Sequence, residues 1–162
     1  MAGRFRGSGE NVVYGGACPR NRRDGAAPEM IETMLRGLFN EHTRLRKKEK
    51  PLARVIACFF ERFFRVHPFR DGNGRVARLY ADRVALEHGF TFRIQYTRKQ
   101  RRRYISALEI AHRKATAADG SYDDPTSSSP GVFRQPLYRL EKWVESVLEE
   151  IEYVDVEPPG FG

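Results

Sequence analysis

The sequence predicts an all-α domain with a small β-hairpin. Three observations carry that expectation. Apolar residues recur at helical spacing from Met30 to Leu45. Residues 52–66 are the most apolar stretch of the chain and lie between Pro51 and Pro68. A short apolar run, Val12-Val13-Tyr14, stands alone in a Gly-, Arg- and Asn-rich segment, with Gly15-Gly16 and Asp24-Gly25 as turn signals.

The elements follow in order. Residues 1–27 read as a hairpin or extended flap. Pro28 suits a first helical position, and Met30, Ile31, Met34, Leu35, Leu38, Phe39 and Leu45 form the stripe of a helix ending near Lys50. Pro51 opens a second helix, whose Leu52, Val55, Ile56, Phe59, Phe60, Phe63, Phe64 and Val66 make it the central buried one. Pro68 stops it, because proline disfavours helix at the preceding residue. After a loop, a third helix is expected from near Arg75 to a C-cap at His88-Gly89. Thr97 is placed to cap a fourth helix through about Ala118, closed by Gly120. Residues 121–135 are rich in Ser, Pro, Asp and Gly and read as a surface loop. Pro136 is expected to open a last helix with Leu137, Leu140, Val144, Val147, Leu148 and Ile151 as its stripe, and the tail after Glu157 to fray. The whole is one domain: segment 1–27 with the flap, core 28–120, loop 121–135, and helix with acidic tail 136–162.

The chain has 162 residues, enough for one domain with a core of its own. At 40% hydrophobic and 31% charged it has the composition of a soluble protein. Cys18 and Cys58 offer neither zinc spacing nor a disulfide framework, and Cys58 sits in an apolar run. That usage points to a reducing, cytoplasmic setting. No apolar run of membrane length and no signal-peptide pattern is present, so no membrane partner is expected. The net charge of +8 divides into +5 over residues 1–50, +9 over 51–120 and −6 over 121–162. A basic body attracts phosphate-bearing ligands, and also its own acidic tail.

The most informative run is His67-Pro68-Phe69-Arg70-Asp71-Gly72-Asn73-Gly74-Arg75. It joins the central helix to the start of the next. A helix N-terminus has unpaired N–H groups and a positive dipole end. Gly72 and Gly74 let the backbone approach a ligand closely, and Asn73 can add its side-chain amide, so the run reads as a phosphate nest. Asp71 supplies an oxygen of the kind Mg²⁺ prefers when phosphates and water complete its shell. Arg75 and Arg78 lie three apart on one helix face and can reach outer phosphates. His67 is the side chain suited to accept a proton near neutral pH. A plain capped turn would need neither the histidine nor two spaced arginines.

This run resembles the Fic-domain signature, His-Pro-Phe-x-(Asp/Glu)-Gly-Asn-Gly-Arg-x-x-Arg, and matches it at every specified position through Arg78. Gly3-Arg4-Phe5-Arg6 followed by Val12-Val13 is similar to the family's segment leading into its flap. Tyr104-x-x-Ala107-Leu108 and Pro136-Leu137 resemble its later helices. The resemblance implies a Fic-like helical bundle with a flap over the active site, transferring AMP from Mg-ATP to a Tyr, Ser or Thr hydroxyl of a protein substrate. In that reading His67 is the base and Asp71 holds Mg²⁺. Gly72, Asn73 and Gly74 line the anion hole, and Arg75 and Arg78 grip the β/γ end of ATP. The flap of Val12, Val13 and Tyr14 docks the target by pairing as an added strand. Relatives of the Doc kinase type have lysine where this chain has Gly74, so Gly74 favours nucleotidyl transfer. Phosphocholine transfer uses a small residue in place of the first glycine, and Gly72 argues against it. AMP removal by the same site stays open. The resemblance also implies toxin or effector roles, including delivery into a host cell.

The family often carries an inhibitory helix with the pattern (Ser/Thr)-x-x-x-Glu-(Gly/Asn), whose Glu pairs with the second motif arginine. The chain begins almost at the flap, so no upstream copy is expected. Ser146 and Glu150 form a late near-match with Ile151 in the last position, and would be neighbours on one face of the last helix. Such spacings are common by chance, and an amphipathic terminal helix packing on the core is the favoured reading. A separate antitoxin chain is the other route to control. The basic stretch Thr97 to Arg103 raises nucleic-acid binding as a different class of function. No recognition-helix or aromatic-platform pattern supports it.

Overall fold

A computed structural model describes residues 4–14, 23–93, 97–119 and 137–151. The expected turn at Gly15-Gly16, Cys18, Gly120, the 121–135 loop, Pro136 and the tail after Glu157 lie outside the described residues.

Pro28 begins a 3-10 turn, Pro28–Met30, that runs into α1, Ile31–Lys47. Ile31, Leu35, Leu38, His42 and Leu45 are its buried residues, a three-and-four spacing that makes one face. Arg44, Arg46 and Lys47 sit in its last turn, where cations oppose the negative dipole end. α2, Leu52–Val66, buries ten residues and packs against α1, α3, α4 and α5. Phe60 and Ile56 are fully buried within it. Each such side chain contributes about 1.5–3 kcal/mol on burial. α3, Asn73–Leu86, turns Ala77, Ala81, Val84 and Ala85 inward, and these small side chains let it lie close to α2. The Tyr80 ring of α3 stacks on Phe59 of α2 at 4.0 Å. α3 begins two residues earlier than expected, because Gly72, in the left-handed region at φ +86°, serves as its N-cap.

Among the described residues, two two-stranded sheets accompany the helices. β1, Val13–Tyr14, pairs antiparallel with β2, Arg23–Asp24, and Gly25 N–H extends the ladder to the Val12 carbonyl at 2.9 Å. Asp24-Gly25 is therefore the returning strand and its end, not a turn. α4, Arg98–Asp119, follows β3, Phe90–Phe92, and Thr97 Oγ1 accepts the Gln100 N–H at 3.2 Å as its cap. α5, Tyr138–Glu145, buries Leu140, Trp143 and Val144 against α2 and α4.

The last helix is shorter than its apolar stripe implies. Ser146 ends α5: its Oγ donates to the Trp143 carbonyl at 2.7 Å, and Val147 N–H turns back to Val144 at 3.0 Å. β4, Leu148–Glu150, then pairs with β3, Leu148 opposite Phe92 and Glu150 opposite Phe90. Ser146 and Glu150 are thus not neighbours on a helix face; one is a cap and the other lies on a strand. The strand wins because Phe90–Phe92 offers a backbone edge beside α5, and a buried Val147 pins the crossover. No described helix is long and apolar enough to cross a membrane.

Candidate active site

α2 cannot continue past His67, because Pro68 follows. His67 takes the left-handed conformation at φ +47° and ψ 58°, and its N–H closes on the Phe63 carbonyl at 2.9 Å. A non-glycine residue there costs about 1–3 kcal/mol and needs support from its surroundings. Arg6 supplies it. Its guanidinium is buried and donates to the carbonyls of His67 at 2.8 Å, Glu10 at 2.8 Å, Ala26 at 2.6 Å and Val66 at 3.2 Å. The Arg6 backbone N–H reaches Pro68 at 2.9 Å. One side chain thus ties the N-terminal segment, the end of the hairpin and the corner of α2 together.

The loop from Pro68 to Gly72 is closed by Asn73. Its Oδ1 accepts from Phe69 N–H at 3.0 Å and its Nδ2 donates to the Phe69 carbonyl at 2.7 Å. Asn73 is buried, so its amide frames the loop, a correction to the expectation that it points into the anion nest. The nest is backbone. The first helical bond of α3 is Val76 N–H to Gly72 O at 3.0 Å. The N–H groups of Asn73, Gly74 and Arg75 precede it, at the positive end of the helix.

Both motif arginines lie against the motif glycines. A Cβ on Gly72 would stand 3.4 Å from Arg75 Nη2, and one on Gly74 3.2 Å from Arg78 Nη1. Arg75 is exposed and pairs with Asp71 at 2.8 Å. Arg78 is half-buried and reaches the surroundings of Tyr104 on α4, where its charge opposes the upward push of burial on that phenol.

His67 is half-buried, and burial lowers its pKa below the ordinary histidine value; Arg6 and His112 push the same way, while the Phe64 carbonyl opposes them. His67 Nδ1 faces that carbonyl at 3.4 Å. A carbonyl only accepts, so the hydrogen of the neutral ring belongs on Nδ1 and the lone pair on Nε2. The ring of Tyr14, from the flap, stacks on the imidazole with centroids 5.0 Å apart and planes 9° apart. Val12 supplies the carbonyl that fixes Gly25, and Val13 is largely exposed on β1.

Asp71 carries the test for a divalent cation. Its side chain is 90% exposed beside the nest, with one oxygen on Arg75. Among the described residues no group of three or more His, Cys, Asp or Glu side chains could hold a metal by themselves. One exposed carboxylate fits a Mg²⁺ that arrives with phosphate oxygens and keeps its waters, and not a cage made of protein alone. Cys58 is no reactant, since burial pushes its thiol up to about 11.

Sequence reasoning missed three residues here. Gly25 has a signal as part of a turn dipeptide, but its importance is close approach: a Cβ there would meet Val12 Cγ2 at 2.9 Å, Arg6 Nη2 at 3.0 Å and His67 Cβ at 3.2 Å. Arg6 stands in the quoted flap segment with no hint of its four carbonyls. His112 gives no local signal.

The sequence model of the Fic/DOC family matches residues 5–85. A Fido domain-containing protein of Dictyostelium discoideum is 36% identical over 88 residues, 53% of this chain and 60% of that protein. A protein of Aquifex aeolicus named "Probable protein adenylyltransferase" is 34% identical over 88 residues, 54% of this chain and 25% of that protein. The chain therefore spans only part of the curated relatives it matches. Among solved structures, a Fic domain containing signaling protein from Bacteroides thetaiotaomicron superposes with a TM-score of 0.68 at 20% identity, over 89% of this chain and 50% of that one. At that identity the likeness concerns the fold.

Proposed function

Because this chain belongs to the Fic/DOC family, we propose that it is a protein adenylyltransferase that moves AMP from ATP to a Tyr, Ser or Thr hydroxyl of a target protein. The observation that carries the reading is the paired geometry of base and nest: an imidazole with its proton fixed on the Phe64 side, one short loop away from the open N-terminus of α3.

His67 Nε2 accepts the proton of the target hydroxyl, and the oxygen attacks the α-phosphorus. The bond from that phosphorus to the bridging oxygen breaks, and pyrophosphate leaves with the electron pair. The N–H groups at the start of α3 take the charge that develops on the phosphate oxygens. Arg75 and Arg78 hold the outer phosphates, which orients the α-phosphorus for in-line attack. Asp71 is the carboxylate for Mg²⁺, which neutralises phosphate charge when bound with ATP. Arg75 then exchanges Asp71 for phosphate. β1 offers its backbone edge to an extended target segment.

Labelled ATP tests this in a lysate with Mg²⁺. Transfer of α- but not γ-label to protein, lost in His67→Ala, is the expected result. Transfer of γ-label alone assigns a kinase reaction to the same site. Release of AMP from an already modified protein assigns the reverse activity.

A further inference from the structure

Two histidines hang from α2 by opposite ring nitrogens. His67 Nδ1 faces the Phe64 carbonyl at 3.4 Å, and His112 Nε2, reaching across from α4, faces the Glu61 carbonyl at 3.0 Å. Phe64 and Glu61 are three residues apart, so their carbonyls open on neighbouring positions of one helix face. Each contacted nitrogen carries the hydrogen in a neutral ring, which leaves the lone pair on Nε2 in His67 and on Nδ1 in His112. The Tyr14 ring touches both imidazoles. It lies flat on His67 and meets His112 edge-on, with centroids 5.6 Å apart and planes 84° apart.

The anchor is firm. His112 is 5% exposed and Glu61 2% exposed, and Glu61 forms an ion pair with Arg65 of the same helix. Among the described residues β1 and β2 pair over two residues each, with the Gly25 N–H to Val12 bond beside them, and a two-stranded ribbon by itself is marginal in water. Where the flap sits against the base must therefore be decided by tertiary contacts. Tyr14 is the strand residue that makes one with His67.

We infer that His112 and Tyr14 are positioning residues: His112, fixed on α2, holds the Tyr14 ring flat on His67 and so sets β1 in register with the base. The inference rests on reading His67 as the base for AMP transfer. A displacement of about 1 Å between target oxygen and base is enough to lower a rate by about 10²-fold. Among the described residues, Arg6 from the N-terminal segment, His112 from α4 and Tyr14 from the flap face His67.

The test has two arms. In protein with labelled histidine, the carbon-bound ring protons of His67 are shifted upfield by the face of Tyr14, and NMR reads that shift without any substrate. Tyr14→Ala and His112→Ala both remove it; Tyr14→Phe, which keeps the ring, and His112→Gln, which keeps a donor at the Nε2 position, retain it. Should His112→Ala not fold, His112→Phe keeps an aromatic edge without the donor and is expected to lose the shift as well. Retention of the shift in the variant lacking the donor overturns the inference. In the second arm, kcat for AMP transfer falls about tenfold or more in Tyr14→Ala and His112→Ala, with KM for ATP unchanged and activity restored in Tyr14→Phe and His112→Gln. Unchanged kcat in His112→Ala also overturns it. A wild-type protein with no His67-dependent AMP transfer counts against the proposed reaction, while the proton shifts still decide the role of His112.

Discussion

Arg6 Nε donates to the carbonyl of His67 at 2.8 Å, and the same guanidinium reaches three further carbonyls, of Glu10, Ala26 and Val66. A buried cation thereby holds the His67 corner in a backbone conformation that histidine does not favour. Replacing Arg6 with alanine leaves four acceptors short of a donor in a largely buried setting. The expected loss is about 3 kcal/mol or more of stability, read by urea unfolding. Arg6→Lys retains the charge but cannot serve four carbonyls, and is expected to fold while losing most activity.

Gly25 is predicted to be sensitive for want of space. An added methyl would meet Val12, Arg6 and the Cβ of His67 within 3.2 Å. Gly25→Ala should destabilise by about 1–3 kcal/mol and lower kcat by displacing His67. Thermal unfolding and labelled-ATP transfer check the two parts; an alanine variant with wild-type kcat would show that the site absorbs the methyl.

Gly74→Ala should behave in the opposite way. Its Cβ would meet the far end of the long Arg78 side chain at 3.2 Å, with no backbone atom within 4 Å. Alanine also suits the first turn of a helix, so stability should hold or rise by about 0.5–1 kcal/mol. Nucleotide affinity should fall, because Arg78 moves. Calorimetric titration with Mg-ATP beside a melting curve separates these effects.

The pH dependence follows from burial. His67 titrates below the ordinary value of about 6.5, chiefly because it is buried, so the imidazole is neutral at neutral pH. kcat/KM should be level from pH 7 upward and fall only as pH drops through the lowered value. Stability moves in the same direction. The unfolded chain binds protons at a higher pH than the folded one, so stability is full above about pH 6.5 and declines as pH falls toward the folded value. His42, whose pKa is also lowered, first by burial, adds to that slope. Urea unfolding between pH 5 and 8 should show it, and His42→Leu should flatten part of it. Stability independent of pH over that range would refute the assignment.

Glu150→Gly should leave AMP transfer unchanged. Glu150 is exposed on β4 opposite Phe90, with no helix to carry it beside Ser146. A strong rise in self-modification would instead assign it an inhibitory role from the strand. The variant removes one exposed side chain from a three-residue strand, so its stability should change by about 1 kcal/mol at most.

The sequence alone determined the helical core and the placement of the loop between α2 and α3. α1 and α2 are written in apolar spacing and proline boundaries, signals that are local and that tertiary packing reinforces. His67, Asp71, Gly72, Gly74, Arg75 and Arg78 are contiguous enough for spacing to place them at a helix start. What the sequence left undecided depends on partners distant in the chain. β3 and β4 are three residues each, too short for a period to show, and exist because their edges meet, Thr91 opposite Glu149. Asn73 reads in the sequence as a side-chain donor to the nest, whereas its amide is held by the Phe69 backbone. Arg6, Gly25, Tyr14 and His112 meet His67 only after the flap and α4 have folded against α2. A close approach, a stack and a buried guanidinium are all long-range contacts, and no periodicity in a single segment encodes them.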